Sequence, residues 1–161
     1  AFNIFRQNHP DFRLLIVGGS PKQVTKYQLL AEEYRVEEYC VFTGQVSQAV
    51  AKKYCAKASI LVSPRKHGTN TPLKVYEQLA SGIPLVATRI HSHTQVLTDD
   101  VAFLVEPAPE KMAVGLTAAL GESGPMKAKQ AQALYAEKYS REVYTGKMKR
   151  LFNHLDTHSR V

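Results

Sequence analysis

Between Ser63 and Arg89 the chain carries Arg65, Lys66 and Lys74 against a single acid, Glu77. Thr71 is followed there by Pro72, which reads as an N-cap residue and a proline in the first helical position, where a missing N–H costs nothing. A helix begun in this way leaves the amides of Leu73 and Lys74 pointing out of its start. Free N–H groups at the positive end of a helix dipole form an anion site, and Arg65, Lys66 and Lys74 add positive charge around it. Glu77, three residues after Lys74, shares a helix face with it. A lone carboxylate repels a phosphate, yet it can accept hydrogen bonds from hydroxyls beside that phosphate, as on a ribose or another sugar. The plainer reading of Glu77 is an ion pair with Lys74 on the helix surface.

Short apolar runs alternate with helical patterns on either side of this segment. Phe12–Val17, Tyr39–Thr43, Ser59–Val62, Pro84–Thr88 and Val101–Val105 read as strands, most of them stopped by glycine or a small polar residue. Helices are expected over 21–34, with Val24, Tyr27, Leu30, Ala31 and Tyr34 at helix spacing, from Ser47 to about Ala58, and from Pro72 to Ser81 with Gly82 ending it. Strands of four to six residues separated by such helices pair in parallel through right-handed crossovers. The class is α/β, a doubly wound, mainly parallel sheet with C-terminal helices from about Pro109 onward. Ligands of such sheets bind outside the carboxyl ends of the strands. Here those ends read Gly18-Gly19-Ser20, Thr43-Gly44, Ser63-Pro64-Arg65 and Thr88-Arg89. Glycines, free amides, a cationic rim and one carboxylate together describe a nucleotide-sugar pocket.

Length and composition set the frame. A chain of 161 residues, 44% hydrophobic and 22% charged, fits one globular domain with its own core. The net charge of +7 suits an anionic partner without naming it. Cys40 and Cys55 form no CxxC pair and read as buried reduced thiols, which points to the cytoplasm. Ala1–Arg6 reads as the end of an amphipathic helix with Phe2, Ile4 and Phe5 on its buried side, as expected of a fragment whose earlier elements are missing. In the last helix Ser140 can serve as cap, and Tyr144, Met148, Leu151 and Leu155 form one stripe, expected to pack on the domain behind a solvated basic face. The alternative, a helix lying on a membrane surface, draws on the seven Lys and Arg of residues 126–150.

The segments FRLLIVGGSP, VFTGQV, KASILVSPR, PLKVYEQLASGIPLVAT and DDVAFLVEP together resemble the C-terminal, donor-binding half of retaining group 1 glycosyltransferases, the family-4-like enzymes of GT-B architecture. The PLKVYEQLASGIPLVAT block is the specific part. The resemblance implies a nucleotide-diphosphate sugar, UDP- or GDP-linked, as substrate, with no metal and no other cofactor. It implies that Glu77 meets the ribose, that the amides of Leu73 and Lys74 meet the diphosphate, and that Thr69, Asn70, Thr71, Arg65, Gly18, Gly19 and Gly44 line the rest of the site. It also implies an acceptor-binding domain and a first strand upstream, transfer to a glycan, lipid or polysaccharide precursor, and peripheral membrane contact through that upstream half. Residues 1–161 are then a single nucleotide-sugar-binding domain, inactive by itself in transfer. Two departures concern the sugar. Thr69 stands where the family often has a first glutamate, with Asn70-Thr71-Pro72 in place of a glycine-rich helix start, and His91-Ser92-His93-Thr94-Gln95 replaces a loop that usually holds two glycines and a glutamate.

Other classes fit less well. His91 and His93 lack a third metal ligand, Lys66-His67-Gly68-Thr69 does not match a P-loop, and Gly18-Gly19 lacks the third glycine of a dinucleotide fingerprint. No stretch interleaves aromatic and basic residues as a nucleic-acid platform does. A nucleotide-sugar epimerase of similar architecture and a non-catalytic nucleotide-binding domain remain as rivals.

Overall fold

The computed structural model describes residues 1–158, with side chains through His154. Its elements follow in the order α1 (Phe2–Arg6), β1 (Leu14–Ile16), α2 (Pro21–Glu33), β2 (Cys40–Phe42), α3 (Gln48–Cys55), β3 (Leu61–Ser63), α4 (Leu73–Ala80), β4 (Leu85–Thr88), α5 (His91–Thr94), β5 (Phe103–Val105), α6 (Pro109–Ala119), α7 (Ser123–Lys138) and α8 (Arg141–His158). Every ladder is parallel: β1 with β2, and β4 with β3 and β5.

Alternation along β3, β4 and β5 divides their side chains between two cores. Leu61, Leu85, Ala87 and Leu104 face Val75 and Leu79 of α4 and Ala131 of α7. Ile60, Val62, Val86, Phe103 and Val105 face the other way, onto Phe5 of α1 and Met112, Ala113, Leu116 and Ala119 of α6. Helices therefore cover both faces, the doubly wound arrangement expected. Gly115 lets α6 lie close against the strands, since a Cβ there would stand 2.8 Å from Val105 and 2.9 Å from Val86.

The structure departs from the expected sheet in one respect. The strands form two separate pieces, β1-β2 and β3-β4-β5, with no ladder joining them among the described residues. The strands are also shorter than the apolar runs suggest; β3 lies two residues later, at Leu61–Ser63, because Leu61 begins its pairing opposite Leu85. Around β1 and β2 burial is thin: Tyr27 and Tyr34 of the expected α2 stripe are exposed, as are Leu29 and Val41. Cys40 is half-buried and Cys55 exposed, so the expectation of two buried thiols is corrected. Ser140 does cap α8, accepting the Val143 amide at 3.4 Å. The expected packing of its stripe is found only in part: Met148 is half-buried, whereas Tyr144 and Leu151 are exposed; the Leu155 side chain lies outside those described. No helix of the described residues is long and apolar enough to cross a membrane.

Candidate functional site

All four strand ends singled out in the sequence carry structure of their own. Gly18 and Gly19 take φ values of +95° and +100°, and Gly44 takes +62°, a region open to glycine at little cost. Gly18 and Gly44 form an isolated bridge, and the Gly18 amide donates to Thr43 Oγ1 at 3.2 Å. An open depression beside them is lined by Gly19, Pro21, Val24, Phe42, Gly44 and Gln45. From Gln45 the chain runs directly into α3, whose N-cap Ser47 accepts the Val50 amide at 3.4 Å.

At the third end, α4 starts one residue later than expected. Pro72, at φ −65° and ψ 136°, is the N-cap, and no side chain caps the helix. Thr71 is thus not the cap: its hydroxyl donates to Gln95 Oε1 at 3.1 Å. Proline's fixed φ suits both the first helical turn and an extended residue, so the boundary moves without strain. The amides of Leu73 and Lys74 remain the first two of the helix and have no acceptor within it. Leu73 itself is 83% exposed at this mouth. Gln95 Nε2 donates onward to the Thr69 carbonyl at 3.0 Å and lies 2.8 Å from His91 Nε2, so α5 holds the loop before α4 in place. Arg65 folds over Gly68, where a Cβ would meet its guanidinium at 2.9 Å, and donates to the Asn70 carbonyl at 3.2 Å. Crowding by protein atoms strips water from the Lys74 ammonium and lowers its pKa; repulsion from Arg65 acts in the same direction.

Glu77 finds partners that the sequence does not announce. Its Oε1 accepts from Gln48 Nε2 at 3.1 Å and stands 3.8 Å from Lys52 Nζ, both on α3. The expected alternative, a pair with Lys74, is replaced by this bridge between helices. The structure therefore gathers Arg65, Thr69, Asn70 and Thr71 into one loop at the start of α4, one turn from Glu77. It gathers Gly18, Gly19 and Gly44 at the ends of β1 and β2. Gln48 links the two groups, coming three residues after Gln45 and touching Glu77.

At the fourth end, Arg89 is committed elsewhere. It pairs with Asp99 at 2.6 Å and donates to the Leu104 carbonyl, and Asp99's pKa is lowered by that hydrogen bond. His93 is buried with its ring nitrogens near Ser63 and Thr88. His91 and His93 therefore use their nitrogens within the protein. Among the described residues no three His, Cys, Asp or Glu side chains gather to hold a metal ion.

The fold recurs in known proteins. Over 104 residues the chain is 30% identical to phosphatidyl-myo-inositol mannosyltransferase of Mycobacterium tuberculosis; the match covers 64% of this chain and 26% of that protein. The chain thus spans about a quarter of the length of the curated relatives it matches. Sucrose-phosphate synthase of Thermosynechococcus elongatus superposes with a TM-score of 0.82 at 21% identity, over 98% of this chain and 42% of that one. HepE of Anabaena, solved in complex with UDP, superposes with a TM-score of 0.79 at 15% identity, over 90% of this chain and 42% of that one. The C-terminal domain of a group 1 glycosyl transferase of Francisella tularensis gives 0.71 at 19% identity, over 86% of this chain and 75% of that one. These likenesses establish a Rossmann-like fold of the kind found in GT-B enzymes. The family described as "Glycosyl transferases group 1" matches residues 1–122, and the chain belongs to that family.

Proposed function

We propose that this chain is the donor-binding domain of a retaining glycosyltransferase and holds a nucleotide-diphosphate sugar at the start of α4. One observation carries the reading: the unpaired amides of Leu73 and Lys74 open beside Arg65 and Lys74, with Glu77 one turn further in. The amides and the helix dipole take the diphosphate. Arg65 spends one donor on Asn70 and turns the rest of its guanidinium to the phosphates, while Glu77 exchanges Gln48 for the ribose hydroxyls. Positive charge fixed at this point stabilises the charge that develops on the departing diphosphate during transfer. The base lies toward the depression lined by Gly19, Gly44 and Gln45. Thr69, Asn70 and Thr71 stand at the sugar end. UDP or GDP serves as the carrier; UDP in the crystal of the Anabaena neighbour favours the first.

We read the chain as one such domain that acts with an upstream acceptor-binding half and a first strand. The split sheet supports this, because the doubly wound strand order sets a first strand between the strands that are β1 and β3 here. Neighbours of which this chain covers 42% support it too. The acceptor is a glycan, lipid or polysaccharide precursor. A glycosyltransferase brings donor and acceptor into register between two domains, a gain of about 7–11 kcal/mol that one domain does not supply.

Calorimetry with UDP and GDP on the parent chain and on Glu77→Ala tests the site. A lost charged hydrogen bond is worth roughly 1.5–3 kcal/mol, so the variant should bind about ten- to a hundredfold more weakly. UMP should bind more weakly than UDP, and affinity should fall with salt. Equal affinity of parent and variant would take Glu77 out of the site, and indifference to the second phosphate would take the helix start out of it.

A further inference from the structure

His93 is completely buried between the carboxyl ends of β3 and β4. Its Nδ1 lies 2.8 Å from the Thr88 carbonyl and its Nε2 3.0 Å from Ser63 Oγ. A carbonyl only accepts, so Nδ1 carries the proton and Nε2 presents a lone pair to the Ser63 hydroxyl. The Thr88 hydroxyl, 3.2 Å from the same Nδ1, donates to the Arg65 carbonyl, and the Arg65 guanidinium donates to the Asn70 carbonyl. Ser63 and Thr88 are buried as well, at 0% and 2% exposure. A directed run of hydrogen bonds thus leads from Ser63 through His93 and Thr88 to Arg65 and Asn70. The last pair of the β3-β4 ladder is Ser63 with Ala87, so the run takes over where the backbone ladder stops.

We infer that His93 is a positioning residue: its neutral, Nδ1-protonated ring joins the ends of β3 and β4 and so sets where Arg65 and the loop to Asn70 stand at the start of α4. The inference rests on reading that helix start as the phosphate site. Surroundings keep the ring neutral. Burial depresses its basicity most; the hydrogen bond to the Thr88 carbonyl works against this, and Lys74 of α4 and Arg65 of the loop add repulsion to a further positive charge. An apolar residue in its place would leave the buried Ser63 hydroxyl without a partner and the Thr88 carbonyl with the Ile90 amide alone. A purely structural role would cost stability by the same route but would not single out Arg65. The positioning role does, because Thr88 reaches Arg65 through one hydroxyl.

The test compares the parent chain with Thr88→Val, which removes that hydroxyl at nearly constant shape, with His93→Leu, with Arg65→Ala and with the Thr88→Val/Arg65→Ala double variant. In UDP calorimetry, Thr88→Val and His93→Leu should each weaken binding roughly tenfold. The double variant should bind no more weakly than Arg65→Ala alone, since positioning matters only while the guanidinium is there. His93→Asn, which keeps a donor near the Thr88 carbonyl, should recover most of the affinity. Additive losses, or a Thr88→Val variant that binds like the parent, overturn the inference. A second arm needs no nucleotide. Nitrogen-15 NMR should show the neutral Nδ1–H form of His93, and Thr88→Val should shift the amides of residues 65–70 while leaving those of β5 in place. The opposite tautomer or an unmoved loop overturns it also. A parent that fails to bind UDP refutes the phosphate-site reading, and the resonances then still decide on His93.

Discussion

Residues 12–58 and residues 59–139 are built by opposite means. In the second region the helices α4, α6 and α7 have no side-chain caps, yet they cover three parallel strands on both faces with fully buried Val75, Leu79, Leu85 and Val86. In the first region α2 begins with a complete capping box, Ser20 with Gln23, and Pro21 in its first position, and α3 has Ser47 as its cap. Of the buried apolar residues, however, this region supplies only Ala31 and Val36. Local signals define its helices, but packing scarcely holds them. The difference matters for the proposed site, whose helix-start amides lie in the tightly packed region while the partners of Glu77, Gln48 and Lys52, lie in the loosely packed one. A ligand that engages both would add to the first region the cohesion that its own side chains do not provide.

The strongest challenge to this contrast is a pair of truncations. Leu79→Ala removes a side chain with no exposed surface and should cost about 2–5 kcal/mol in urea unfolding. Leu29→Ala, at a position 59% exposed, should stay within about 0.5 kcal/mol. Comparable losses would show that the first region has a core of its own. Gly115→Ala sharpens the same point, because the new methyl group would press on Val86 and Val105 between helix and strands; overpacking of this kind costs about 1–3 kcal/mol, read from the unfolding midpoint.

A smaller effect is expected from pH. The folded pKa of His93 lies below that of the unfolded chain, so the unfolded state binds more protons in the window between them. Its contribution is complete above about pH 6.5, the unperturbed histidine value, and is lost as the pH falls from there through the folded pKa. Stability measured across that window should decline with acid in the parent and be flatter in His93→Leu. Asp99, lowered by Arg89, acts only in the carboxylate range, and this exposed pair should contribute little. A local change should follow Ser20→Ala, about 1 kcal/mol of lost capping. It should speed hydrogen exchange in α2 and leave α4 and α7 untouched.

Much of the fold is legible in the sequence because its punctuation is local. Glycines and prolines bound the apolar runs, and Gly82 ends α4 with φ +73°, as a glycine can. Contacts made through space are not legible. Gln48 meets Glu77 across 29 residues, and nothing in either residue's neighbourhood announces it. His93 offers two nitrogens that the sequence can weigh only as metal ligands, whereas the ends of β3 and β4 enclose it. The start of α4 is ambiguous by one residue because proline suits both sides of the boundary and Thr71 has a partner in Gln95. The stripe on α8 identifies a face but not what covers it, and Tyr144 and Leu151 remain exposed.

Hydrogen exchange of the whole chain, with and without saturating UDP, tests the central claim most directly. A nucleotide held at the start of α4 and on Glu77 should protect the amides of Leu73 and Lys74 and those of the 65–70 loop. The amides at Gly18, Gly19 and Gly44 should slow with them, since the ligand would bridge the two regions. Protection confined to residues 12–58, or none at the start of α4 when UDP is bound, would contradict it.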